Sequence, residues 1–255
     1  MKSNITLRPV YMASVSGGKD SLFMLYLILN NLDKYPLDGV VHYELEIDYP
    51  FVKNVISKMK EMCNELNIPF YSVKPSRTWS ELYNKYGFPS RKARWCNSQY
   101  KMDAKRQIEK FMKSQGKYIV NYIGFCADET SRFKYQIGKI AEGQTVVYPL
   151  AEEGINEGTI LEWARTQEIF DNFYKVNERQ GCMFCPMLQY KEMAYQMLTY
   201  PEVSRNFWFM VFTEWDRGIN VLRGDKYTPD YIYKRVKDYW CLKVEQMLKG
   251  DNEDV

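Results

Sequence analysis

Tyr11-Met12-Ala13-Ser14-Val15-Ser16-Gly17-Gly18-Lys19-Asp20-Ser21 is the stretch on which the reading of the whole chain turns. Tyr11 to Val15 is a short apolar strand. From Ser21 the pattern becomes helical, with Leu22, Leu25, Tyr26 and Leu29 at i, i+3, i+4 and i+7. Ser16 to Ser21 is therefore a strand-to-helix turn. Its two glycines open backbone angles closed to other residues and let the main chain approach an oxygen-rich ligand. The N–H groups that begin the helix favour an anion. Lys19 adds a full positive charge, and Ser16 and Ser21 add hydroxyl donors. Asp20 is suited to capping the helix or to helping hold a metal ion. Phosphate is the ligand these features share. The turn is not a Walker A loop, which would need Gly and Ser or Thr where this chain has Ala13 and Asp20. The plain alternative is a Gly-rich turn that binds nothing.

Outward from this turn, strand-like and helix-like runs alternate. Val40 to Ile47 reads as a strand, Phe51 to Leu66 as a helix and Pro69 to Val73 as a strand. Ser98 to Lys113 reads as a basic amphipathic helix, followed by strands at Tyr118 to Gly124 and Val146 to Leu150. Such β-α-β alternation implies a Rossmann-like parallel sheet with helices on both faces, binding its ligand at the carboxyl ends of the strands. After Pro149 the texture changes. Thr159 to Phe170 looks helical, a Cys-x-x-Cys turn follows, and Tyr190 to Trp240 is mostly helical and rich in aromatics. The expected organisation is a nucleotide-binding domain over 1–150 and a smaller helical region over 151–255 that carries the Cys-x-x-Cys. The acidic end, Gly250 to Val255, reads as frayed.

A chain of 255 residues, 45% hydrophobic and 26% charged, can bury a core of ordinary size. Thirty-five basic against thirty-two acidic residues leave +3, too mild to argue for nucleic acid. Met1 to Val10 lacks the apolar run of a leader, and no stretch of about 18 apolar residues suggests a membrane span. The expected location is cytoplasmic. In a reducing compartment, Cys182 and Cys185 read as metal-binding or redox-active rather than as half of a disulfide framework.

Three further segments join the turn in a resemblance. They are Arg94-Trp95-Cys96 with Lys101, Gly124-Phe125-Cys126-Ala127-Asp128-Glu129-Thr130-Ser131-Arg132, and Gly181-Cys182-Met183-Phe184-Cys185-Pro186. With Ser16 to Ser21 and in this order, the chain resembles the PP-loop ATP pyrophosphatases, and within them the phosphoadenosine phosphosulfate reductase-like branch. The DNA phosphorothioation sulfurtransferases also look related. The resemblance implies an enzyme that uses ATP and magnesium, cleaves ATP to AMP and pyrophosphate, and activates an acceptor for thiolation, with a cysteine desulfurase as sulfur donor. It implies catalytic roles for Lys19, Asp20 and Arg132. It implies nucleotide contacts from Ser16, Gly17, Gly18, Lys19, Asp20, Ser21, Arg94, Lys101, Gly124, Asp128 and Glu129. The family more often has Arg where Cys126 stands. On this reading Lys19→Ala weakens ATP binding or turnover and leaves the fold intact.

Iron–sulfur members of the family combine an upstream cysteine with a downstream Cys-x-x-Cys. That implies a 4Fe–4S cluster on Cys96, Cys182 and Cys185, with one iron open or ligated by Cys126. Zinc on the same four sulfurs, and thiols with no metal, are the alternatives. Two other functions stand beside the leading one. A reductase of adenylyl sulfate or phosphoadenylyl sulfate would need a C-terminal Glu-Cys-Gly-Leu-His motif, whereas Cys241 lies in Tyr239-Trp240-Cys241-Leu242-Lys243. A non-catalytic nucleotide-binding accessory protein with a zinc site is the third. Neither the acceptor nor the oligomeric state is legible.

Overall fold

The computed structural model describes residues 7–132, 145–222 and 227–250. Part of the N-terminal stretch read for a leader, and residues 251–255 of the acidic end, lie outside these. The described chain gathers into two compact units. One comprises 1–45, 50–76 and 101–169; the other comprises 46–49, 77–100 and 170–255.

The first unit is built on five parallel strands: β1 (Arg8–Val15), β2 (Gly39–Tyr43), β3 (Phe70–Val73), β4 (Lys117–Tyr122) and β5 (Thr145–Val147), in the order β3-β2-β1-β4-β5. Its helices are α1 (Lys19–Leu29), α2 (Val52–Glu65), α4 (Met102–Ser114), α5 (Pro149–Glu152) and α6 (Glu157–Arg165), with α3 belonging to the other unit. The Rossmann-like α/β class expected from the alternation is the class observed. The strand order explains why both faces are covered. Chain progress runs one way from β1 to β3, then back across the sheet to β4 and β5. Right-handed crossovers then place α1 and α2 on one face and α4 on the other. The core agrees: Val10 and Met12 of β1 and Val41 of β2 pack with Ile108 and Met112 of α4.

The second unit holds α3 (Trp79–Tyr86), all but the last residue of a π-helical turn at Cys96–Lys101, α7 (Phe173–Val176), α8 (Tyr190–Thr199), α9 (Pro201–Asp216), α10 (Pro229–Arg235) and α11 (Cys241–Lys249). A second π-helical turn, Val236–Trp240, lies between α10 and α11. Phe173, Tyr195, Phe207, Val211, Val236 and Val244 are fully buried here. The aromatic-rich stretch thus serves helix packing at Phe207 and Trp208, while Phe209 is exposed.

Three expectations are corrected, and one element was missed. The second strand stops at Tyr43 rather than Ile47. The last strand stops at Val147, because Pro149 opens α5, where its missing N–H costs nothing. The basic helix expected over Ser98 to Lys113 is a π turn followed by α4. Helix α3 was not anticipated. Its signal was present: Thr78 Oγ1 accepts from the Glu81 amide at 3.2 Å and Glu81 accepts from the Thr78 amide at 2.7 Å, a reciprocal cap. Among the described residues no helix is long and apolar enough to cross a membrane.

Candidate nucleotide site

Strands β1 and β4 are neighbours, and the chain leaves them toward opposite edges of the sheet. In open α/β sheets this switch point is where ligands bind. Two loops of the first unit meet there, 16–18 after β1 and 123–132 after β4.

The first loop is fixed by contacts within itself. Ser21 Oγ donates to the Gly18 carbonyl at 2.9 Å and accepts from the Ser16 amide at 3.2 Å. Gly17 has φ +76°, and a Cβ there would stand 2.7 Å from Cγ1 of Val52 on α2. Glycine is required on both counts. Gly18 is the N-cap of α1 and brings no side chain to cover the helix end. Asp20 is therefore not the cap, as one sequence reading had it.

Lys19 is buried, its side chain 1% exposed. Its ammonium lies 2.8 Å from Asp20 Oδ1 and 3.5 Å from Oε1 of Glu157, the first residue of α6. A buried ammonium is stable only with such partners. Lys19→Ala removes the cation from both carboxylates, at about 2 kcal/mol of stability.

The second loop closes on the first. A Cβ on Gly124 would sit 2.9 Å from the carbonyl oxygen of Asp20. Its lack of a side chain thus serves an approach to the α1 backbone, where the sequence suggested an approach to ligand. Cys126 is buried, its Sγ 3.7 Å from Asp20 Oδ1. Burial first, then the charges of Asp20 and Glu129, push this thiol far up, so it stays protonated. Glu129 accepts from the Cys126 amide at 3.2 Å and pairs with Arg132 at 2.9 Å. The Arg132 guanidinium lies over the Phe125 ring, 5.1 Å from its centroid, and is 46% exposed. Asp128 accepts from the Glu157 amide at 3.1 and 3.3 Å, so it tethers the start of α6. His42 is the packed residue its setting suggested. Its Nδ1 lies 3.1 Å from the Val15 carbonyl, and burial holds its pKa below 6.5.

The structure thus brings Ser16 to Ser21, Gly124, Cys126, Asp128 and Glu129 into one unit. Arg94 falls in the other unit and is exposed; Lys101 falls in the sheet unit and is half-buried. Glu157 was missed. It stands 138 positions from Lys19, and its only local signal was an acidic residue opening a helix.

The helical unit holds Cys96, Cys182, Cys185 and Cys241. In the Cys-x-x-Cys turn the Cys185 amide donates to the Cys182 carbonyl at 3.2 Å. The Met183 amide donates to the Ile47 carbonyl at 2.8 Å. Buried Gln196 donates to Tyr49 Oη at 2.7 Å and to the Met183 carbonyl at 2.9 Å. Phe184 packs on Trp79 at 6.0 Å, and Trp79 packs on Trp95 at 4.7 Å and Tyr100 at 5.8 Å. An aromatic cluster therefore joins the turn to the segment bearing Cys96. Tyr100 is pushed up to about 12, by burial first and then by Glu46, Asp48 and Cys182.

Residues 10–186 match the phosphoadenosine phosphosulfate reductase domain. The chain belongs to this family. Among curated proteins of Methanocaldococcus jannaschii, the uncharacterized protein MJ0973 is 25% identical over 240 residues, covering 90% of this chain and 51% of the relative. The uncharacterized protein MJ0066 is 24% identical over 227 residues, covering 85% and 42%. The chain spans about half the length of the curated relatives it matches. Among solved structures, the U34-tRNA thiolase NcsA from Methanococcus maripaludis, solved with its 4Fe-4S cluster, matches with a TM-score of 0.41 and 15% identity, over 91% of this chain and 83% of that one.

The phosphoadenosine phosphosulfate reductase family match ends one residue beyond Cys185, so it takes in both the loop and the cysteine turn. Of the four cysteines named from the sequence, Cys126 lies beside Asp20 in the sheet unit, and Cys96, Cys182 and Cys185 belong to the helical unit. Among the described residues no group of three or more His, Cys, Asp or Glu side chains is placed to hold a metal ion.

Proposed function

We propose that this chain binds ATP with magnesium at the Ser16–Ser21 loop and cleaves it to AMP and pyrophosphate, activating an acceptor for sulfur transfer. The observation that carries the reading is the loop at the β1/β4 switch point: an α1 N-terminus without a side-chain cap, Gly17 at positive φ, and Lys19 held beside it. Helix N–H groups and the ammonium would stabilise charge that builds on the phosphates as the α–β bond breaks. Arg132 is half-exposed and reaches the same loop cluster, which suits a second phosphate contact. Asp20 is the carboxylate nearest the loop for magnesium.

The sulfur chemistry is assigned to Cys182 and Cys185, with Cys96 in the same unit and a cysteine desulfurase as donor. Iron, sulfide and zinc analysis of protein purified without oxygen tests this. About four irons and four sulfides would mean that loading draws the three sulfurs together. One zinc would make the turn a structural pin.

The reductase reading is weakened by Cys241. Its thiol is pushed up by burial first and then by Glu245 and Asp238, opposite to what a nucleophile needs. The decisive experiment is calorimetric titration of magnesium ATP with a pyrophosphate-release assay, on wild type and Lys19→Gln. The variant should bind ATP about 100-fold more weakly, the loss of one charge-assisted contact. Equal affinity in the folded variant removes the reading. Binding without pyrophosphate release leaves a nucleotide-binding accessory protein.

A further inference from the structure

We infer that Glu157 sets how tightly the loop takes phosphate: its carboxylate holds the Lys19 ammonium and must yield it when a diphosphate group enters. The inference rests on the reading of this loop as a nucleotide phosphate site.

Two carboxylate anchors of Lys19 differ in kind. Asp20 is its sequence neighbour on the first turn of α1, 2.8 Å away, and travels with it. Glu157 comes from α6, contacts Nζ at the longer distance of 3.5 Å, and is held by its own amide on Asp128. Lys19 is buried under these groups, so its ammonium already has the negative partners a phosphate would supply. Incoming phosphate oxygens compete with them for the N–H donors of the ammonium. The longer contact, made from a separate element, is the one that yields. Glu157 thus acts on the ligand through Lys19 and is a positioning residue. Holding the ammonium away from ligand lowers apparent affinity by the fraction of molecules so held. The same contact keeps the buried charge paired while the site is empty.

The sign of the effect separates this role from a merely structural one. Glu157→Gln keeps the side-chain volume, the first turn of α6 and the backbone N–H on Asp128, and removes only the competing charge. Inorganic pyrophosphate is titrated into wild type, Glu157→Asp and Glu157→Gln by calorimetry at two salt concentrations. Glu157→Gln should bind about tenfold tighter than wild type, within the usual range of coupling between two sites. Its affinity should also fall more steeply with salt, since more of the Lys19 charge reaches the ligand. Glu157→Asp, whose shorter side chain loosens the 3.5 Å contact, should lie between. It carries the test alone if the Gln variant does not fold. Equal or weaker binding in the folded variants overturns the inference and leaves the nucleotide reading standing. No binding by wild type or either variant overturns both.

Discussion

Lys19 in the sheet unit and Glu192 in the helical unit are both ionisable and both nearly shut off from water. Lys19 has two carboxylates at its ammonium. Glu192 accepts from the Gln189 amide at 2.7 Å and stands beside Gly181, at the start of the Cys-x-x-Cys turn. Burial accordingly lifts Glu192 to about 7, against 4.5 for an ordinary glutamate. Around the turn the pattern continues with Gln196 and Tyr49, neutral groups bonded to each other and to backbone. At Lys19 a buried charge is kept and paired; at Glu192 burial favours the neutral form. The first arrangement suits a site that exchanges one anion for another. The second surrounds the cysteine turn with rings and neutral polar groups.

The comparison can be broken most severely in the aromatic cluster. Trp79→Ala removes the ring shared by Trp95, Tyr100 and Phe184, and should cost about 3–5 kcal/mol of stability by denaturant titration. Nucleotide affinity should survive wherever the protein stays folded. In the sheet unit, Gly124→Ala pushes a methyl group to within 2.9 Å of the Asp20 carbonyl. It should cost about 1–3 kcal/mol and weaken ATP binding as well, because the atom it displaces belongs to the loop. Loss of stability with ATP affinity intact would separate the two loops.

The finest test uses pH. Glu192 has a raised folded pKa, so its contribution is fully present below about 4.5 and is lost as pH rises toward 7. Glu192→Gln should therefore stabilise the protein by about 1–2 kcal/mol at pH 8 and by nothing measurable at pH 4.5. His42 has the opposite sign. Its folded pKa is lowered, so its contribution is present above 6.5 and is lost as pH falls below that value. Thermal melts of wild type and Glu192→Gln across this range should diverge only on the alkaline side.

Much of the sheet unit was legible because its signals are local. Alternation located the strands, and the glycines with Lys19 located the loop. What escaped was set by partners far along the chain. Glu157 meets Lys19 across 138 positions, and Cys126 meets Asp20 across 106. A cysteine after a strand reads as a ligand, with no local sign of the burial and the Asp20 carboxylate that push its thiol up. Pro149 ended the last strand early on local grounds, and the Thr78–Glu81 cap announced α3. Both signals were in the sequence and were outweighed by hydrophobic pattern. The π turn at Cys96–Lys101 has no comparable signature, since its extra residue is tolerated only by packing.

The helical unit is assembled from pieces born far apart. Residues 46–49 and 77–100 leave the ribosome well before 170–250, the helices with which they form one unit. Some 70 residues separate the end of the second piece from the start of the third, roughly 4–14 s of synthesis. Through that interval Trp79, Trp95 and Tyr100 have no completed core to enter. The nascent chain is stickiest there, and slowing translation after residue 100 should lower the yield of native protein unless a chaperone covers those rings.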